Sequence, residues 1–353
     1  MKSPEHAPLV QVSSSTGGVV FSGRRAASHV RDFVRARERP CPVVLDPSAY
    51  ESHVATPEAP FLLRESSLFE EDQLRETLHQ LTMSGADLVL TPTGFLTADE
   101  NGAEALRRAA RRVDALDTAD VVLAVPLDAL WLSRREQLAS LLQRIRTPKA
   151  LILGARGNPV ESTSRAQALR ETVFEAGETA LLRTDLAGLD AMLHGAPFTS
   201  IGDTSSTRHT VPPWEDPRVF TRNRSPNVLD PNLMAYVRGM RLAEQPVGEL
   251  LRCTCVPCVE AGEARGSGAV GRLLNTLHDH SDTAQAHAHN MAVWSRWWSD
   301  LSRETTRERA GARWRALCAG ALHRYGEYNG RFLRANGPFT PSGALRYWAG
   351  EGG

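Results

Sequence analysis

Between residue 40 and about residue 203 the chain repeats one pattern six times: a short apolar run, a polar loop, then a stretch of helical period. The apolar runs fall at 42–45, 87–91, 121–127, 150–153, 180–182 and 198–201. They are too short for helices, and several are rich in Val, Leu and Ile, as strands buried on both faces are. Helical segments lie between them at 71–83, 103–114, 134–146 and 164–176, and a shorter one at 185–194 sets Leu186, Leu189 and Leu193 on one side. Alternation of this kind predicts a parallel α/β sheet, either doubly wound or closed into a barrel. Six units before residue 205, with chain left for two more, favour an eight-stranded (β/α)8 TIM barrel. No Gly-x-Gly-x-x-Gly follows the first run, which argues against a dinucleotide site.

The second constraint is Cys253-Thr254-Cys255-Val256-Pro257-Cys258. Three thiolates within six residues suit one tetrahedral Zn²⁺, which takes Cys sulfur and His nitrogen. Cys41 and Cys318 stand alone, so the cluster is no part of a disulfide framework. His278, His280, His287 and His289 all lie within reach as the fourth ligand, and His289-Asn290 follows Cys258 by 31 residues. A site closed by four protein ligands is structural and adds folding free energy directly. The chemistry must then lie elsewhere.

Composition narrows the class of protein. Charged residues make up 23% of 353 and the formal net charge is zero, so charge gives no global support for a nucleic-acid partner. From Met291 onward ten arginines face five acidic residues, a locally basic tail that a solvated helix face would also explain. Residues 1–15 carry Pro, Glu and His where a leader peptide needs an apolar stretch. No run of about 18 apolar residues is present, so no membrane span is expected. Reduced, metal-bound cysteines fit the cytoplasm.

In a barrel the functional residues sit at the C-terminal ends of the strands. Those ends carry Asp46 and Asp203, each inside a distinctive local sequence. Here the chain resembles the tRNA-guanine transglycosylase superfamily, including its DNA 7-deazaguanine branch. Asp46-Pro47-Ser48-Ala49-Tyr50 is similar to that family's Asp-Ser-Gly-Gly-Phe. The stretch from Leu181 through Leu186-Ala187-Gly188-Leu189-Asp190-Ala191-Met192-Leu193-His194-Gly195 to Asp203 and Arg208 resembles its strand, helix and Phe-Asp-Cys-Val-x-Pro-Thr-Arg segment. Cys-x-Cys-x-x-Cys followed by His-Asn is the third match. Together these span roughly residues 40 to 295.

The resemblance implies a covalent double displacement in which guanine in tRNA or DNA leaves and a 7-deazaguanine base takes its place. By motif match Asp203 is the nucleophile and Asp46 the general acid/base. Tyr50 falls where the family's Phe stacks on the base, with Ser48, Thr93 and Gly154 at the other base-binding positions and Arg208 on the nucleic acid. Zn²⁺ is then held by Cys253, Cys255, Cys258 and His289, and a homodimer or heterodimer is implied. The expected organisation is a barrel over residues 1–245, an inserted zinc lobe over 246–295, and C-terminal helices over 296–353 packing on the barrel.

The chain departs from the family where the base and the substrate strand are read. Gly-Gly becomes Ser48-Ala49, Thr93 stands where Asp is usual, and no Gln corresponds near 125–128. After Arg208 the chain runs His209-Thr210-Val211-Pro212-Pro213 in place of Asn-Ala-Arg-Asn-Gly. A non-catalytic binding or partner subunit of the same fold accounts for those losses but leaves both aspartates unexplained. An unrelated zinc hydrolase would need an open coordination position, which Cys₃His lacks. Trp294, Trp297 and Trp298 share one face of the following helix and are expected to pack the zinc lobe onto the barrel.

Overall fold

The computed structural model describes residues 16–36, 41–63, 70–116, 118–215, 225–246, 248–264, 270–332 and 337–351; the reading of residues 1–15 as unlike a leader peptide falls outside them. Seven strands form one sheet in chain order: β1 (Val19–Ser22), β2 (Val43–Asp46), β3 (Leu88–Leu90), β4 (Val121–Asp128), β5 (Lys149–Gly154), β6 (Thr179–Thr184) and β7 (Thr199–Ile201). Each is parallel to the next. The intervening helices are α1 (Ala26–Ala36), α2 (Glu70–Thr82), α3 (Glu100–Asp114), α4 (Arg135–Gln143), α5 (Thr163–Ala176) and α6 (Ala187–Leu193). All six apolar runs in the sequence are strands. β1 precedes them and is an addition, four residues long after Gly17 and Gly18.

Alternation along the strands sorts side chains into two cores. Val44, Leu90, Val122, Ala124, Ala150, Ile152, Ala180 and Leu182 cluster with Tyr50 and Phe95 on the concave side. Val43, Leu45, Val89, Val121, Leu123, Leu151 and Leu181 face outward onto the helices. The period of two makes this separation automatic once both faces are covered. Alanines on the inner face give room for the sheet to curl, and it closes nearly into a barrel. The expected eighth strand is not found among the described residues: the sheet ends at β1 and β7, so the architecture is a seven-stranded parallel sheet.

After β7 the pattern changes. β8 (Asn227–Asp230) and β9 (Ala235–Arg238) make an antiparallel hairpin that leads into α7 (Gly239–Ala243). β10 (Arg252–Cys253) pairs with β11 (Arg272–Leu273), with α8 (Val256–Ala264) between them in sequence. Three helices finish the chain: α9 (Thr283–Ser302), α10 (Arg307–Arg331) and α11 (Gly343–Ala349). The hydroxyls of Thr306 and Ser342 accept from Arg309 N–H and Leu345 N–H, capping α10 and α11.

Asp190 of α6 fastens α10 to the barrel side. It accepts Trp314 Nε1–H at 3.1 Å and two bonds from Arg170, at 2.7 and 3.1 Å. Arg170 also lies 4.3 Å from the ring centre of Tyr347 on α11. A buried carboxylate so fully donated to is a fixed joint, since removing one partner would strand a charge. Among the described residues no helix is long and apolar enough to cross a membrane.

Candidate functional site

Asp46 ends β2, and the chain turns at once through Ser48, whose left-handed backbone (φ 52°) bends it back. That turn brings three donors onto one carboxylate. Ser48 N–H reaches Oδ1 at 2.8 Å, while Ser48 Oγ and Tyr50 Oη reach Oδ2 at 3.0 and 2.6 Å. Tyr50 in turn accepts from Arg183 Nη1 at 3.0 Å. Arginine has no acceptor, so the tyrosine proton is directed at Asp46. Asp46 and Tyr50 are each only 1% exposed, and burial pushes the Tyr50 phenol far above its ordinary range.

Arg183 stands at a strand end, and sequence reading gave it no role. The β6–β7 register slips between Leu181 and Thr184, so Leu182 and Arg183 together face Ser200. Arg183 takes a left-handed backbone (φ 49°) and its N–H is held by Ser200 Oγ at 2.9 Å. A bulge of this type re-aims a side chain, and strained backbone of this type collects at functional sites. The guanidinium also donates to Glu51 Oε1 at 2.7 Å and to the Ser206 carbonyl at 2.6 Å. One buried side chain thus joins the Asp46 turn to the loop carrying Asp203. A Lys or Arg at a strand end beside two candidate acids is the only sequence signal that would have flagged it.

Asp203 follows β7 and is half-buried. Thr204 N–H and Thr207 Oγ1 donate to its Oδ1 at 2.9 and 2.8 Å. Its Oδ2 accepts no hydrogen bond among the described residues. Asp203 lines a cavity of about 580 Å³ that runs between β1 and β7 and is walled by α9. Arg183, Thr207 and Ser22 line it too, while Asp46, Ser48, Tyr50, Thr93 and Gly154 do not.

The other base-binding candidates sit inside the barrel mouth. Thr93 is fully buried and pairs with Thr91 at 2.7 Å. Gly154 is covered by Phe95, whose ring carbon would lie 2.3 Å from a Cβ added there. Phe95 is backed by Trp214 edge-on at 5.3 Å. Arg208 is buried with its guanidinium 3.7 Å from the ring centre of Tyr236. Beside it, burial lowers the tendency of His209 to take a proton. The structure therefore brings Asp46, Ser48 and Tyr50 together, sets Asp203 apart on the cavity, and leaves Thr93, Gly154 and Arg208 in packed surroundings.

Cys253, Cys255, Cys258 and His289 converge as the spacing predicts. Their ligand atoms lie within 4.8 Å of one another and all four residues are buried. His289 Nδ1 is 3.4 Å from the sulfurs of Cys255 and Cys258. Its Nε2–H donates to the Leu229 carbonyl at 2.7 Å, which fixes the ring with Nδ1 toward the sulfurs. Asn290 Oδ1 accepts Leu229 N–H at 2.7 Å, and its amide donates to the Asn227 carbonyl at 2.9 Å. The His-Asn pair thus docks α9 on β8 as well as turning a ring. Three soft sulfurs and one imidazole in a dry pocket match a tetrahedral metal ion. No family model and no curated protein matches this sequence. A second group, His278, Asp279 and Asp282, is exposed or half-buried, and Asp282 is engaged by backbone N–H groups and Arg272.

Proposed function

We propose that this protein exchanges guanine in a nucleic acid, tRNA or DNA, for a 7-deazaguanine derivative. The observation that carries the reading is Asp203, a carboxylate with one oxygen free among the described residues, beside a cavity wide enough for a nucleoside. In the reaction an Asp203 oxygen attacks C1′, the C1′–N9 bond breaks toward guanine, and guanine takes up a proton. The incoming base then gives up its N9 proton and attacks C1′, releasing Asp203. Asp46 is the proposed proton carrier by its motif, and Tyr50 and Arg183 tie its turn to the loop that carries Asp203. A Zn²⁺ held by Cys253, Cys255, Cys258 and His289 would fasten a small lobe to a (β/α)8-type barrel and take no part in the chemistry. Solution in the cytoplasm suits those thiols.

One observation favours a second reading, a non-catalytic binding or partner subunit of the same fold. Three donors from Ser48 and Tyr50 already occupy the buried Asp46 carboxylate, and Phe95 covers Gly154. The deciding experiment incubates the protein with tRNA or DNA and labelled 7-deazaguanine, and follows label incorporation and intact mass. Exchange and a covalent adduct in the wild type, both lost in Asp203→Asn, are expected. Exchange that persists in Asp203→Asn removes the assignment, and a wild type inert on both polymers puts the second reading first.

A further inference from the structure

The cavity at the seam has the composition of a ligand site. Its apolar wall includes Val20 of β1, Phe198 ahead of β7, and Met291, Trp294 and Trp298 of α9. Residues 291, 294, 295 and 298 recur at helical spacing, so one stripe of α9 faces the gap. The three tryptophans do not act as the single packing face expected of them: Trp297 is buried in the core, while Trp294 and Trp298 line the cavity. Indole rings lining a half-open cleft favour a flat partner.

Polar groups converge at one end. Arg183 is 4% exposed and lines the cavity, and its Nε–H meets no acceptor among the described residues although both terminal nitrogens are engaged. A buried donor left without an acceptor has lost its water and gained nothing in exchange, a deficit that a ligand acceptor would relieve. The Asp203 carboxylate and the Thr207 side chain stand at the same end. A site with an unfilled donor, a carboxylate and aromatic walls selects against plain hydrocarbon.

We infer that the seam cavity binds a flat nitrogen heterocycle, with a ring acceptor on Arg183 and the ring plane against α9, at a place separate from the barrel mouth. Its identification as the base of the exchange reaction rests on the function proposed above; the site itself does not. The placement differs from the one implied by the resemblance, which puts the base at Tyr50, Thr93 and Gly154.

Calorimetric titration with 7-deazaguanine tests it, with indole as a flat ring that offers no acceptor. Saturable binding is expected for 7-deazaguanine, with indole at least tenfold weaker. Ser295→Phe fills the cavity from α9 without touching Arg183 or Asp203 and should abolish binding, while Arg183→Lys should weaken it about tenfold. Absence of binding, equal binding of indole, or unchanged affinity in folded Ser295→Phe overturns the site. Binding blocked by Ser295→Phe without exchange on any polymer upholds the site and removes the exchange reading. Exchange that survives Ser295→Phe does the reverse.

Discussion

Asp230 shows how a single carboxylate can set the pH response of this fold. It is fully buried, and burial pushes its pKa up to about 6 despite bonds from Tyr328, Asn232 and Leu233. Tyr328 Oη lies 2.9 Å from Asp230 and 2.8 Å from the Leu250 carbonyl, yet has one proton to give. A protonated Asp230 resolves the conflict by donating to Tyr328, which then donates to Leu250. A folded pKa above the unfolded one contributes stability below about pH 4 that is lost as pH rises through about 6. We expect Asp230→Asn to flatten that slope, worth on the order of 1–3 kcal/mol, in urea denaturation followed from pH 4 to 7. Gly154 makes a second case. Phe95 already occupies the place of an added Cβ, so Gly154→Ala should destabilise by about 1–3 kcal/mol in the same assay. Asp46 and Asp203 were legible as strand-end acids, whereas the sealing of Asp46 was not. The guanidinium that completes that seal lies 133 residues from Tyr50, and no local pattern connects them.

At the level of elements, spacing was legible where it was local. Cys253, Cys255 and Cys258 come together because β10 runs straight into α8, whose first turn bonds back to the Cys255 carbonyl through Cys258 N–H at 2.9 Å. His289 was distinguishable from three neighbouring histidines only through the resemblance. The structure gives the physical reason, the bond from its far nitrogen to β8. β1 escaped because four residues after a glycine pair carry little periodic signal. The β6 bulge escaped because a register slip leaves the apolar run intact. Cys255→Ser should release this lobe, and thermal unfolding monitored by circular dichroism should show a drop of several degrees or more. An unchanged midpoint, with no metal found by elemental analysis, would refute a structural ion.

For the molecule as a whole, six repeats announced a parallel sheet, and the count of eight came from assuming that the pattern continued. Among the described residues it stops at β7, after which come an antiparallel hairpin and helices, one of which, α9, walls the gap. α9 serves two places at once. Near its start it supplies His289 to the cysteine cluster, and over about the next two turns it walls the seam with Met291, Trp294 and Trp298. Two equilibria that each order the same element are thermodynamically linked, and the coupling is reciprocal. Whatever free energy the heterocycle gains from a metal-ordered α9, the metal must gain from a heterocycle-ordered α9. Zinc loss to a chelator should therefore slow when 7-deazaguanine is present, by the same factor that chelation weakens its affinity if the change lies in dissociation alone. In that sense the ion, distant from any reacting bond, would act as an effector of the cavity.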